Sequence, residues 1–251
     1  MARIVNGMIL LLLGWLGCAM STAQAADLTC GIALGFPPYQ YSEHGQVKGF
    51  DADVIDLVMK QLGRQCQLVQ APWDQILNRL RYGKLDLVVG METGELRNRY
   101  FDFTRSYTAR KSVIFVNAQR SEITRQEELY GQFIAGDRSS LIEQVWTDQG
   151  LHNKFRIREL ESKSESMRLL KIGEVQAALM PLEVGIYLAQ LQQVPVRVLA
   201  EPQVETPVAL AVLKGNTVLR NQLDQALQVL INSGKIQALY QRWFGQQKPS
   251  S

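Results

Sequence analysis

Side chains suited to covalent or metal chemistry are scarce in this sequence of 251 residues. It has three cysteines, none in a Cys-x-x-Cys spacing, and two histidines, His44 and His152, both in loop-like segments. Zinc sites of the Cys/His type need more of these ligands at closer spacing. The sequence also shows no Ser-His-Asp pattern, no Gly-x-Ser-x-Gly turn and no phosphate-binding loop. It therefore predicts no metal, no cofactor and no catalytic residue.

Two of the cysteines, Cys30 and Cys66, lie in the strand-like runs LTCGIAL and QCQLVQ, with a helix-like segment between them. If these strands are neighbours in a sheet, the two side chains can form a disulfide. Free thiols are uncommon in exported proteins, so we expect the bond. The alternative is a pair of buried thiols.

The N-terminus has the pattern of a secretory signal. Arg3 provides a positive start, the apolar run MILLLLGWLG covers residues 8–17, and Ala23 and Ala25 supply small residues before a cleavage point. We predict that residues 1–25 are a signal peptide cleaved near Ala25, and that the mature chain is exported to the periplasm. The alternative is a lipoprotein anchored through Cys18.

The composition is that of a globular protein, with 46% hydrophobic and 20% charged residues. The formal net charge is only +3 and no run of Lys or Arg is present, so nucleic acid is not an expected partner. The length suffices for one large domain or for two lobes with separate cores. No heptad pattern is present, and we expect a monomer.

Strand-like and helix-like segments alternate along the chain. In the first half, a helix opened by Asp51 or Asp53 lies between the strands of the two cysteines, and a helix opened by Asp74 leads to a buried strand. The order β-α-β-α-β predicts a parallel sheet with helices on both faces. The second half repeats the scheme, with strands at 133–135, 175–180 and 196–199 and terminal helices at 217–233 and 235–244.

Three long stretches together give the sequence a family resemblance. They are FPPYQYSEHGQVKGFDADVIDLVMKQLG (36–63), PWDQILNRLRYGKLDLVVGMETGELRNRYFDFT (72–104) and PVALAVLKGNTVLRNQLDQALQVLINSGKIQALYQRWFG (207–245). In order and spacing they resemble the type 3 solute-binding proteins of bacterial amino-acid ABC transporters. The resemblance covers nearly all of the mature chain and is weaker between residues 120 and 205.

This resemblance implies an α/β architecture, the two-lobed periplasmic-binding-protein fold of type II. Each lobe would be a doubly wound sheet, and two crossing strands would form the hinge. Lobe 1 would comprise residues 26–108 and 208–251, and lobe 2 residues 109–207, with crossings near Thr108–Arg110 and Thr206–Val208. Such folds bind ligand in the cleft that the strand ends face.

The resemblance also assigns ligand-binding roles, first to Arg97. It matches the family arginine that pairs with the α-carboxylate of the ligand, and a guanidinium presents paired donors suited to two carboxylate oxygens. Arg99, two residues on, is expected to face solvent. Phe36 and Trp73 resemble the two side chains that sandwich the ligand, whereas Tyr39 is expected to be structural.

Further site residues follow from the same resemblance. The loop with Gly90 and Glu92 matches a segment whose carbonyls and hydroxyl meet the ammonium of the ligand, and Glu92 stands where the family has a serine. On lobe 2, Ser139 and Ser140 match a Gly-Thr-Thr stretch at a helix start, where hydroxyl and N–H groups can bind a carboxylate. Arg138 takes the place of the glycine in that stretch.

One departure from the family pattern leaves the ligand class open. Where the family has an aspartate that binds the α-ammonium, this sequence has Pro181. Glu183 could replace the aspartate if the loop is shifted, or Glu92 could supply the carboxylate from the other lobe. In a third reading the ligand has no ammonium, and Arg138 and Arg97 hold a dicarboxylate.

The resemblance implies an extracytoplasmic protein that captures a small carboxylate ligand, most often an amino acid, and delivers it to an ABC permease. An alternative is an exported enzyme similar to cyclohexadienyl dehydratases, with Glu92 or Glu183 as general acid. Another is a ligand-binding component of a sensor.

Overall fold

The computed structural model of the protein describes residues 28–136, 141–200 and 203–245. The predicted signal peptide and the predicted site residues Arg138, Ser139 and Ser140 lie outside these ranges. Within them, no helix has the length and apolar character needed to cross a bilayer.

Most strands of the main sheet are three to six residues long, and two central strands are ten residues long and largely buried. Two further strands, β2 (Tyr41–Glu43) and β3 (Gln46–Lys48), form a hairpin through His44 and Gly45, whose φ angles of 51° and 76° suit a tight two-residue turn. The main-sheet strands are β1 (Leu28–Ala33), β4 (Cys66–Ala71), β5 (Leu87–Glu92), β6 (Phe101–Phe103), β7 (Thr108–Asn117), β8 (Phe133–Gly136), β9 (Arg156–Glu159), β10 (Ala177–Pro181), β11 (Val196–Val198) and β12 (Val204–Leu213).

The helices connect these strands, as the alternating pattern predicted. They are α1 (Phe50–Leu62), α2 (Trp73–Arg81), α3 (Glu95–Asn98), α4 (Leu141–Asp148), α5 (Lys163–Lys171), α6 (Leu182–Gln192), α7 (Thr217–Asn232) and α8 (Lys235–Phe244). Short 3₁₀ turns occupy Gln126–Leu129 and His152–Lys154.

The sheet has a parallel block at each end and a pair of long antiparallel strands in the middle. Its order is β4-β1-β5-β12-β7-β10-β8-β9, with β6 paired to β12 and β11 to β7. β4, β1 and β5 are parallel, which confirms the prediction for the first half, and β10, β8 and β9 form a second parallel block. β12 and β7 run antiparallel to each other and to their outer neighbours, which the local pattern did not predict.

Helices cover both faces of each block, because successive residues of the central strands point to opposite faces. In the first half, Leu87 and Val89 face the core under α1, α7 and α8, whereas Val88 and Met91 pack with α2. In the second half, the two faces of β7 and β10 pack against α5 and α6 on one side and Trp146 of α4 on the other. Each half therefore has the doubly wound arrangement that was predicted.

The two long strands pass from one half of the sheet to the other. The predicted crossing points face each other in register, with Thr206 opposite Arg110 and Val208 opposite Thr108. Beyond this shared ladder, β12 continues beside β5 and β6, and β7 continues beside β10 and β11. These two strands join the halves of the sheet.

The predicted disulfide between Cys30 and Cys66 is present. β1 and β4 are adjacent and parallel, and the Cα atoms of the two cysteines lie 6.0 Å apart, a usual separation for a disulfide. Cys30 is fully buried. The bond closes a loop with a sequence separation of 36 residues.

Replacing both cysteines by serine is expected to lower the free energy of unfolding by about 3–4 kcal/mol, because the unfolded chain gains the entropy that the closed loop denies it. Denaturant unfolding of oxidised wild type and of the Cys30→Ser/Cys66→Ser double variant measures the difference. Reductant should destabilise the wild type and leave the double variant unchanged. An equal response of the two proteins to reductant would contradict a stabilising disulfide.

Candidate functional site

A cavity lies where the carboxyl ends of β1, β5 and β10 face one another. It encloses about 860 Å³ of space between atoms, part of it open to solvent. The first half and the long strand β7 contribute residues 33–36, Gln40, Trp73, Gly90, Glu92, Arg97, Arg110 and Ser112. The second half contributes Glu161, Ser162, Lys163 and residues 179–181.

Five side chains or backbone positions predicted to bind ligand are brought together here: Phe36, Trp73, Gly90, Glu92 and Arg97. They lie at or shortly after the carboxyl ends of three strands of the first half, β1, β4 and β5, as a strand-end cleft requires. Their roles as ligand contacts stay predictions.

Arg97 and Glu92 lie side by side in the cavity wall. Nη1 of Arg97, on the short helix α3, donates to the backbone oxygen of Glu92 at 2.6 Å, and it lies 3.7 Å from Oε2 of the Glu92 side chain. The two side chains keep 16% and 15% of their surface exposed. The Arg97 guanidinium carbon lies 5.8 Å from the centre of the Trp73 ring, at the start of α2. Arg99 is exposed, as expected.

Behind this wall is a buried polar cluster formed by Gln40, Asp51, Gly90, Tyr107 and Arg110. Arg110 of β7 donates from Nη2 to Oδ2 of Asp51 and from Nη1 to the Gly90 oxygen, the latter at 2.9 Å. Asp51 also accepts from Gln40 Nε2 at 2.6 Å and from the Tyr107 hydroxyl at 2.8 Å. The cluster therefore connects α1, β5 and β7.

Neither Asp51 nor Asp53 caps α1, and that prediction is wrong. The helix begins after Gly49 without a side-chain cap, and Asp51 lies in its first turn, fully buried. Its partner Arg110 is 59 residues away in sequence, so the local pattern gave no sign of the pair.

Burial and neighbouring charges set the pKa values of Arg110 and Tyr107 in this cluster. Burial by itself lowers the pKa of Arg110, but the carboxylates of Asp51 and then Glu92 outweigh it and raise the pKa above its usual range. Burial, followed by the charge of Asp51, raises the pKa of the Tyr107 hydroxyl. Arg110 is thus a permanent cation and Tyr107 a hydrogen-bond donor. The Arg110 guanidinium carbon also lies 5.1 Å from the Phe36 ring centre and 4.3 Å from that of Tyr39.

Three backbone carbonyls near the end of β5, in the segment that the resemblance assigns to an ammonium, accept hydrogen bonds from protein side chains. Gln40 Nε2 donates to the Val89 oxygen at 3.1 Å, Arg110 to the Gly90 oxygen, and Arg97 to the Glu92 oxygen. Two of these three donors carry a positive charge.

On the facing wall, Pro181 marks the position where the sequence departs from the family pattern, and it supplies no carboxylate. Pro181 ends β10, pairs with Ser112 of β7 and precedes α6. Glu183 does not line the cavity; its Oε2 accepts from the Tyr39 hydroxyl at 3.0 Å. Tyr39 is fully buried among aromatic rings, which fits its expected structural role.

Several residues that line the cavity escaped sequence reasoning, among them Arg110, Ser112 and Lys163. Lys163 is buried at the start of α5, and its Nζ donates to the Leu179 oxygen at 2.9 Å. Arg110 and Ser112 are two residues apart in β7 and therefore share a face, but Lys111 lies between them, so the run of three polar residues shows no period-two pattern. The charged residues of α5 gave no signal for Lys163 either.

Gly90 has no room for a side chain. A Cβ there would lie 2.2 Å from both Asp51 Oδ2 and Gln40 Nε2, and the residue adopts a positive φ of 72°. Gly90→Ala is therefore expected to lower the free energy of unfolding by at least about 2 kcal/mol, because the cluster must open and the backbone is strained. Chemical denaturation gives the value.

The matched control is Gly94→Ala, four residues on and just after the end of β5, where a Cβ meets no atom within 4 Å and φ is 176°. This variant should change the free energy of unfolding by no more than about 0.5 kcal/mol. Equal losses in the two variants would contradict the tight packing at Gly90.

Comparison with known proteins places this fold and cavity in a family. The family model of the bacterial extracellular solute-binding proteins, family 3, matches residues 28–246. The L-cystine-binding protein TcyJ of Escherichia coli (strain K12) is 22% identical over 232 residues, which cover 91% of this chain and 86% of that protein.

Among solved structures, an ancestral arginine-binding protein bound to arginine is 27% identical, with a TM-score of 0.81, covering 88% of this chain and all of the other. An ancestral amino-acid-binding protein, AncCDT-1, described as a precursor of cyclohexadienyl dehydratase, is 27% identical with a TM-score of 0.78, covering 87% and 95%. The relatives named here are binding proteins. The two-lobed α/β fold is confirmed, and the chain belongs to the bacterial extracellular solute-binding proteins, family 3.

Proposed function

We propose that the protein captures a small carboxylate solute, an amino acid, in the cavity between its two lobes and delivers it to an ABC permease. Relatives that carry the names of cystine- and arginine-binding proteins support this class of ligand. The mature protein acts outside the cytoplasm after cleavage near Ala25. It works as a monomer and performs no chemistry on its ligand.

The observation that carries the proposal is the position of Arg97. Its guanidinium lies in the cavity wall, partly exposed and close to the face of Trp73. A planar fork of N–H donors binds a carboxylate through two parallel hydrogen bonds and fixes its orientation as well as its charge. Phe36 and Trp73 then offer apolar contact to the rest of the ligand at low cost in rotamer entropy.

In this proposal, lobe 1 comprises residues 26–108 and 208–251, and lobe 2 comprises residues 109–207. Rotation about the paired segments of β7 and β12 opens and closes the cavity, and a ligand that touches both walls favours the closed form. Tyr39 of lobe 1 donating to Glu183 of lobe 2 supports a direct contact between the lobes in this form.

A thermal-shift screen of residues 26–251 tests the proposal, with the common L-amino acids, their amines, and small mono- and dicarboxylates as the panel. A ligand that binds only the folded state stabilises it by RT ln(1 + [L]/Kd), so a ligand present far above its Kd gives a clear shift. If no carboxylate in the panel shifts the melting temperature, the proposal fails.

Arg97→Ala is expected to weaken carboxylate binding by about a hundredfold or more in calorimetry, because a buried charge would lose its partner. Arg99→Ala is the matched control, an exposed arginine two residues away that should bind with the affinity of the wild type. Near-normal affinity in Arg97→Ala would refute the role given to this residue.

A further inference from the structure

We propose that a contact between the lobes, made outside the ligand cavity, holds part of the protein closed before any ligand binds. It is formed by Tyr39 and Tyr41 of lobe 1 and by Glu183 and Tyr187 of lobe 2, and we call these four residues the interlobe contact. This inference rests on the lobe rotation that is part of the proposed function. It makes Tyr39 and Glu183 positioning residues, which act on affinity without touching the ligand.

The four side chains of the interlobe contact meet in two pairs. The Tyr39 hydroxyl donates to Oε2 of Glu183 at 3.0 Å. The ring centres of Tyr41 and Tyr187 lie 6.2 Å apart, with the ring planes at 42° to each other. Glu183 and Tyr187 are four residues apart on α6 and therefore share one face of that helix. This face of α6 thus lies against residues 39–41 of lobe 1.

Lobe 1 holds its half of the interlobe contact in a fixed position. Tyr39 is fully buried, and its ring centre lies 5.1 Å from that of Phe244 and 6.2 Å from that of Phe50. The guanidinium carbon of Arg110 lies 4.3 Å from the centre of the same ring. Burial, followed by the charge of Glu183, raises the pKa of the Tyr39 hydroxyl, which therefore keeps the proton that it donates. Whether the hydrogen bond forms thus depends on where lobe 2 places Glu183.

The interlobe contact lies close to the paired strands about which the lobes rotate. Glu183 comes two residues after Pro181, which pairs with Ser112 of β7, and Ser112 ends the ladder that β7 shares with β12. A hydrogen bond of 3.0 Å is lost once its two atoms move apart by about 1 Å. A small rotation of lobe 2 is therefore enough to break the bond between Tyr39 and Glu183.

The interlobe contact is separate from the surface that a ligand touches. Among the residues that the structure describes, those that line the cavity include none of its four side chains. The contact therefore adds the same free energy to closure whichever ligand is bound. Apparent affinity scales with the fraction of protein in the competent form. The interlobe contact should raise the affinity for every ligand by one factor, while the cavity alone sets the ranking of ligands.

Distance measurements by electron paramagnetic resonance on residues 26–251 test this inference without a ligand. Spin labels at Gln75→Cys and Ser164→Cys flank the cavity, because these exposed positions lie in the first turns of α2 and α5, near the lining residues Trp73 and Lys163. The labelled protein should show a population with a short distance between the labels. Tyr39→Phe should lower the ratio of this population to the longer-distance one by about tenfold, the value of a hydrogen bond to a charged group.

Matched variants separate this effect from a general loss of packing. Glu183→Ala should give the same reduction as Tyr39→Phe, and the double variant should show no further loss, because both changes remove one bond. Tyr82→Phe removes a hydroxyl from a lobe 1 tyrosine that is 72% exposed and should leave the distances unchanged. Melting temperatures show that each variant is folded.

Binding affinity provides a second readout. Calorimetry uses L-arginine, L-cystine and each amino acid of the screen that shifts the melting temperature. Tyr39→Phe should weaken the binding of all of these that bind by one common factor of up to about tenfold. A side chain that touches the ligand would instead change some affinities more than others.

The outcomes distinguish this inference from the proposed function. Equal distance distributions in the wild type and in Tyr39→Phe overturn the inference, as does a wild type without the short-distance population. Unequal factors among the amino acids that bind overturn it as well, while the proposed function stands. If no carboxylate binds but Tyr39→Phe still loses the short-distance population, the proposed function fails and the interlobe contact stands.

Discussion

The buried ion pair between Asp51 and Arg110 is the interaction on which the rest of the site depends. It connects the first turn of α1 with a strand that runs between the two halves of the sheet, and Gly90 of β5 joins it through its carbonyl. Removing one member of such a pair costs about 3–5 kcal/mol, since the other charge stays buried without a partner. Gln40 and Tyr107 complete the bonding of the carboxylate.

This cluster positions the charged wall of the cavity. The backbone that leaves Gly90 reaches Glu92 and then Arg97 within a few residues, so the orientation of Gly90 sets where both charges lie. Hydrogen bonds from Gln40, Arg110 and Arg97 hold three carbonyls of the segment. A binding site needs such support, because a shift of about 1 Å in its charged groups already weakens recognition.

Local sequence patterns predicted most of the elements and the disulfide, because helix and strand periods and the placement of cysteines are short-range signals. The resemblance supplied the five predicted residues that line the cavity: Phe36, Trp73, Gly90, Glu92 and Arg97. Neither revealed the pairing of Asp51 with Arg110: an aspartate at a helix start looks like a cap, and its partner lies 59 residues away. The antiparallel placement of β12 and the buried position of Lys163 likewise depend on tertiary packing that no local window contains.

The disulfide has a consequence for the edge of the sheet. β4 is the outermost strand of the first half, and an edge strand is the part of a sheet that frays most readily and offers free backbone groups to other chains. Cys66 opens that strand and is bonded to the fully buried Cys30 of the neighbouring strand β1. The beginning of β4 therefore cannot detach while β1 stays in place. Proteases and aggregation both act on such local opening, so oxidation protects the chain at one edge of its sheet.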